Sequence, residues 1–254
     1  MITYKEYKTF TPHDPFVAGN NLSYFVGGYY PTDKLEKILR KGMFIPSDEV
    51  MAKEYPTIEK IKGMHPFLML FSRCRNVRDT ATEIELRPYL ELNFFFPITY
   101  KHKGEERLCS YMPLLYLDYL LGTIGGMILG LRKEFHANLK YTETDTSSSF
   151  RIENIISASF SQTSTEDIKD LDPFFARFFT KPTLTYSYFN KTYLYTTLVH
   201  PTRVHETSAA YEWNYKGSVI RSDEHTFANF SEYSFTTSRA MRYDAYFHPK
   251  YPVE

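Results

Sequence analysis

The chain reads as a strand-rich α+β protein folded as a single domain over residues 1–254. Three observations carry that expectation. Aromatic and β-branched residues alternate or cluster in short runs between turn residues at Phe67–Phe71, Glu91–Tyr100, Met112–Leu117, Thr183–Tyr188, Tyr193–Val199 and Ser218–Ser222, as strands do. Helical patterning is confined to short stretches. No repeat and no long linker divides the 254 residues.

Taken in order, Asp33-Lys34-Leu35-Glu36 predicts the start of a short helix, with Asp33 as N-cap, Leu35, Ile38 and Leu39 facing inward and Gly42 at its end. Pro46–Lys62 is polar and reads as loop or helix. Thr142–Ser149 reads as a polar loop, and Glu166–Phe179 as a helix broken near Asp172-Pro173. Tyr186–Phe189 and Tyr193–Tyr195 flank Asn190-Lys191, the arrangement of a tight hairpin. Within Glu91–Tyr100, the twofold period puts Leu92, Phe94 and Phe96 on one face and Glu91, Asn93 and Phe95 on the other.

Composition removes several function classes. Thirty basic residues balance thirty acidic ones, so no net field draws nucleic acid or an anionic membrane. Cys74 and Cys109 are far apart and cannot form a disulfide framework, which suits a reducing, cytoplasmic setting. The first residues, Met1 to Lys8, lack the apolar core of a signal peptide. Eight scattered histidines form no His-Glu-x-x-His pattern, so no metal is expected, and no phosphate loop or dinucleotide fingerprint calls for a cofactor. Met112 to Leu131 contains one charge, Asp118, but Pro113 and four glycines argue against a membrane span. Gly122, Gly126 and Gly130 recur every four residues, a smooth helix stripe that lets another group approach closely.

The most informative residue is Lys133. It follows the nearly uncharged Gly125-Gly126-Met127-Ile128-Leu129-Gly130-Leu131 and stands beside Arg132. Desolvation and a neighbouring cation both disfavour the ammonium, which makes an amine nucleophilic near neutral pH. The plain alternative is that Arg132-Lys133-Glu134 are three charges meeting water where an element leaves the core. Glu91 has the same two readings: a solvent-facing carboxylate at a strand start, or a carboxyl beside Phe95 in a poorly solvated pocket whose raised proton affinity suits proton transfer.

A collinear series weights these choices: Tyr24-Phe25, Tyr30-Pro31-Thr32-Asp33-Lys34-Leu35, Tyr89-Leu90-Glu91-Leu92, Tyr116-Leu117-Asp118, Gly125 with Gly130-Leu131-Arg132-Lys133, and Ser238 to Phe247. In this order and rough spacing the chain resembles the acetoacetate decarboxylase-like family, from about Tyr24 to Phe247. The resemblance implies a mostly antiparallel, curved β-barrel around a central pocket with a few short helices, and a buried strand followed by a short helix across Met112–Leu131. It aligns Lys133 with the imine-forming lysine and Glu91 with the active-site glutamate; Arg132 and Glu134 beside the lysine, and Phe95 on the Glu91 face, are read from the residues themselves as candidate substrate-binding or proton-affinity-tuning groups. Two departures stand out. Glu134 occupies the place of the decarboxylases' second lysine, and Asn21-Leu22-Ser23 lies where they carry an arginine.

The implied activity is a lyase acting through a lysine Schiff base on a small oxo acid, foremost decarboxylation of a β-keto acid such as acetoacetate. An imine-forming aldolase or dehydratase on the same fold, and a non-catalytic small-molecule-binding barrel, remain open. The expected partner is a small molecule, with no nucleic acid and no membrane. A homo-oligomer is compatible with the sequence.

Overall fold

A computed structural model describes residues 17–79, 84–102, 104–128, 130–153, 155–163, 173–187, 192–213 and 234–252. Its elements in chain order begin with strand β1 (Val17–Pro31), helix α1 (Thr32–Ile38), β2 (Met43–Phe44), helix α2 (Asp48–Glu54), β3 (Met64–Asp79), β4 (Tyr89–His102), β5 (Glu105–Tyr111) and β6 (Leu115–Leu117). Helix α3 (Leu120–Ile128) follows, then β7 (Lys133–Phe135), β8 (Leu139–Glu143), β9 (Ser147–Ile152), β10 (Ile156–Gln162), helix α4 (Pro173–Thr180), β11 (Thr183–Tyr186), β12 (Thr192–Trp213) and β13 (Ser234–Pro252). The strand-rich α+β expectation holds.

One sheet runs β11-β5-β4-β3-β1-β13-β12-β10-β9-β8, and β11 additionally pairs with β12. Its pairs are antiparallel except β11 with β5 and β6 with β7. The short β6 adds to β4 alongside Glu91–Asn93, and β7 adds to β6, so Lys133 is carried to the same part of the sheet as Glu91.

The largest core cluster lies on the face that bears Tyr24 and Val26 of β1, Phe67 and Phe71 of β3, and Leu92, Phe94 and Phe96 of β4. Phe150 of β9 and Phe160 of β10 close it from the far side. Tyr24 joins the two sides: its ring stacks on Phe160 at 4.5 Å and its hydroxyl meets Ser148 Oγ at 2.6 Å. Such ring pairs add about 0.5–1.5 kcal/mol beyond the area they bury. The opposite face packs Phe25, Leu68 and Leu70 under Phe174, Phe175 and Phe178 of α4.

Several local expectations are corrected. Asp33 sits in the first turn of α1, where its charge suits the helix dipole, and the N-cap is Pro31 with no side-chain cap bond. The helix ends at Ile38, and Gly42 instead turns the chain into β2 with φ +85°. The helical option for Pro46–Lys62 is realised by α2, capped by Ser47, whose Oγ accepts from the Val50 N–H at 3.3 Å. Thr142–Ser149 is not a loop but the tip of a β8–β9 hairpin. Its hydroxyls pair across the strands, Thr142 Oγ1 with Ser149 Oγ at 2.7 Å, and Tyr141 packs on Phe150 at 4.7 Å. Of Met112–Leu117 only Leu115–Leu117 is strand. Helix α4 begins at Pro173, where a proline costs no intrahelical bond; the preceding part of Glu166–Phe179 lies outside the described residues. So do Ser218–Ser222 and the Asn190-Lys191 turn, although β11 and β12 do pair antiparallel. Among the described residues no helix is long and apolar enough to cross a membrane.

Candidate active site

The site is built on the face of β4 opposite the main core. Ser72 of β3 is in register with Glu91, and Cys74 with Tyr89; on the other edge of β4, Leu117 faces Glu91 and Leu115 faces Asn93. Lys133 is in register with Leu115. Since paired residues project to the same face and successive residues alternate, Ser72, Cys74, Glu91, Asn93 and Lys133 share one surface. Phe95 follows on that face, half-buried against Phe178 at 6.2 Å and the cluster of Cys74, Leu115 and Leu131. The Glu91 side is therefore enclosed by β7 and α3, away from the rings of the main core.

A short piece of chain aims the lysine. At the end of α3 the Leu131 N–H bonds the Gly126 carbonyl (2.9 Å) and the Gly130 N–H bonds the Met127 carbonyl (3.0 Å). Gly130 lies in the left-handed region at φ +87°. These two bonds and that conformation make a Schellman closure, which glycine allows without strain. The chain then doubles back as β7, and the Lys133 side chain lies along its own helix. A Cβ at Gly126 would stand 2.2 Å from Lys133 Cε and 2.7 Å from Nζ, so only glycine leaves room for it. Lys133 Nζ donates to the Gly122 carbonyl at 3.2 Å. The every-fourth glycine stripe thus serves as the seat of the lysine.

Electrostatics push both partners of this site toward neutrality. Burial lowers the proton affinity of Lys133, against the opposing charges of Glu91 and Cys74. Burial raises that of Glu91, against Lys133 and hydrogen bonds from Asn93 and Cys74. Asn93 donates from Nδ2 to Glu91 Oε1 at 3.0 Å. An amine whose proton is disfavoured beside a carboxyl whose proton is favoured can give one site both a nucleophile and a proton donor.

The other sequence candidates sit differently. Arg132 is buried, and burial is the main cause of the lowered proton affinity of the Lys133 amine. Glu134 alternates away from Lys133 along β7, opposite Tyr116, and approaches His136 at 3.8 Å. The carboxylate acting on the amine is Glu91, two strands away.

Cys74 was not legible as a site residue. It enters through the β3–β4 register, and nothing near it in the chain signals that pairing. Asn93 was marked only by its twofold spacing from Glu91. Among the described residues no group of three or more His, Cys, Asp or Glu side chains is placed to hold a metal.

No protein-family model and no curated protein sequence matches the chain. Solved structures do. An acetoacetate decarboxylase-like enzyme from Sphingomonas wittichii RW1 superposes with a TM-score of 0.65 at 10% identity, over 95% of this chain and 93% of that one. The acetoacetate decarboxylase of Legionella pneumophila subsp. pneumophila str. Philadelphia 1 gives 0.62 at 12% identity, over 94% and 88%. The enduracididine biosynthesis enzyme MppR, complexed with pyruvate, gives 0.61 at 10% identity, over 95% and 91%; it is also known with the condensation product of pyruvate and imidazole 4-carboxaldehyde. The chain has the acetoacetate decarboxylase-like fold, mostly sheet with few helices, as a divergent example of it.

Proposed function

We propose that this protein is a lyase that forms a Schiff base between Lys133 and a small oxo acid, and that it decarboxylates a β-keto acid of the acetoacetate kind. The observation that supports this reading is the placement of the Lys133 amine: partly buried, seated on Gly126 and coupled to Glu91. We read the sheet, in which β11 pairs with both β5 and β12, as a curved barrel, with the reactive pocket between β4, β7 and α3.

In the proposed reaction neutral Lys133 attacks the ketone carbon. Protonated Glu91 supplies the proton with which the former carbonyl oxygen leaves as water, and the iminium forms. The bond to the β-carboxylate then breaks, carbon dioxide departs, and the electron pair enters the iminium to give an enamine. Once Glu91 regains a proton, it passes it to the enamine carbon. Water hydrolyses the resulting iminium, releasing the ketone and free Lys133. The use of desolvation or a nearby cation to activate the lysine of acetoacetate decarboxylase is a known example of the principle. Here partial burial is the feature present.

A second reading is an aldolase or dehydratase that uses the same imine. It is favoured by Glu134, which stands where the resemblance places a second lysine and alternates away from the amine, and by the condensation product held by MppR.

The test is to incubate the protein with acetoacetate, and separately with pyruvate, reduce with borohydride, and map the added mass by peptide mass spectrometry. An adduct on Lys133, absent in Lys133→Ala, is expected. Absence of an adduct with either keto acid overturns Schiff-base chemistry on these oxo acids and favours the binding-protein alternative. An adduct without release of carbon dioxide from acetoacetate selects the aldolase or dehydratase reading.

A further inference from the structure

We infer that Cys74 is a positioning residue for Glu91, its thiol donating to the carboxylate and holding it toward the Lys133 amine. This rests on the Schiff-base reading of Lys133 for its consequence, though not for its geometry. Cys74 lies on β3 diagonal to Glu91: it is in register with Tyr89, two residues before Glu91 on the same face of β4. Diagonal neighbours on one face are within reach of each other's side chains. The thiol is buried and free of any disulfide. Tyr89 stands directly across from Cys74 and shares this face with Glu91, which puts its hydroxyl, the thiol and the carboxylate in reach of one another; both neighbours act on the proton affinity of the thiol.

The groups facing Glu91 are few. Strand β3 contributes Cys74 and Ser72, whose hydroxyl is engaged by Ser23 at 2.6 Å. Strand β4 contributes Tyr89 and Asn93, β7 contributes Lys133, and β6 presents Leu115 and Leu117. Asn93 and Cys74 are thus two donors that hold the carboxylate from its own strand and from the neighbouring one, and only the thiol can be removed without touching β4.

The sign of the effect follows. Without the thiol donor the Glu91 carboxylate takes up its proton more readily, and its charge no longer favours the ammonium. Lys133 then loses its proton at lower pH.

The experiment compares wild type, Cys74→Ala and Cys74→Ser by the pH dependence of borohydride trapping at Lys133 with acetoacetate. In Cys74→Ala the acidic limb is expected to move to lower pH, so that trapping at a fixed pH on that limb rises, with the serine variant close to wild type. A second readout needs no activity. The S–H stretching band of Cys74, isolated as the infrared difference between wild type and Cys74→Ala, is expected at the low frequency of a bonded thiol and should rise in Glu91→Gln. Superimposable pH profiles in all three proteins overturn the inference, and so does an S–H band indifferent to Glu91→Gln. If wild type traps no keto acid, the Schiff-base reading fails by itself, and the infrared comparison still decides whether Cys74 holds Glu91.

Discussion

Gly126→Ala tests the seat of the lysine without touching any group that carries chemistry. The added Cβ would lie 2.2 Å from Lys133 Cε, 2.5 Å from Cδ and 2.7 Å from Nζ. Carbon atoms in contact prefer about 3.5–4.0 Å, so the lysine must move by roughly 1 Å or more and give up its 3.2 Å bond to the Gly122 carbonyl. The atoms that must yield are the far end of a flexible side chain, and Gly126 has no positive φ, so the helix accepts alanine. Alanine in fact favours a helix by about 1 kcal/mol over glycine. For a chain of this size that is a rise in Tm of about 2–4 °C. Misplacing a reacting group by about 1 Å costs on the order of 100-fold in rate. We therefore expect a variant as stable as wild type, or more so, whose trapping by acetoacetate and borohydride is slowed about 100-fold. Trapping within about threefold of wild type refutes the seat. A large loss of Tm refutes the claim that only the lysine has to move.

Two further predictions concern charge. In Glu91→Gln the negative charge that favours the Lys133 ammonium is gone, so the acidic limb of imine trapping should move to lower pH. Deuterium incorporation into the ketone product, which needs the proton donor, should fall by about 10²–10⁴-fold; a limb that moves toward higher pH contradicts the coupling. His65 is buried, its Nε2 lies 2.7 Å from the Pro97 carbonyl, and burial holds its proton affinity down at about 4, against that hydrogen bond. The native protein keeps it neutral while the unfolded chain protonates it near pH 6.5. The stability it contributes is thus full above about pH 6.5 and is lost as pH falls toward about 4, by on the order of 3 kcal/mol in all. Urea unfolding across that window should be less steep in pH for His65→Gln than for wild type, and equal slopes would count against the assignment.

What could be read from the chain beforehand was what local pattern dictates. The twofold period of β4 correctly separated Leu92, Phe94 and Phe96 from Glu91, Asn93 and Phe95, because alternation is a property of one strand. Which of those faces would meet the main core was not readable, since that depends on β9 and β10 folding over it. The Thr142–Ser149 segment misled because hydroxyl side chains favour turns when isolated, whereas here a facing strand supplies their partners. Nor was the burial that lowers the proton affinity of Lys133 readable from its neighbours in sequence, since it depends on the strands and helix that gather around it.

The closure that returns β7 onto α3 bears on how the protein can change. Lys133 is fastened to a carbonyl only eleven residues earlier in the chain, whereas Glu91 reaches the same surface through pairings that span the sheet. The setting of the Lys133 amine is therefore encoded largely in one short stretch, where Gly126 leaves it room and Gly130 turns the chain back. The fold itself tolerates wide divergence, as the 10–12% identity to structures that share it attests. A change in the distant strands would therefore reach the Glu91 side of this surface before it reached the seat of the amine.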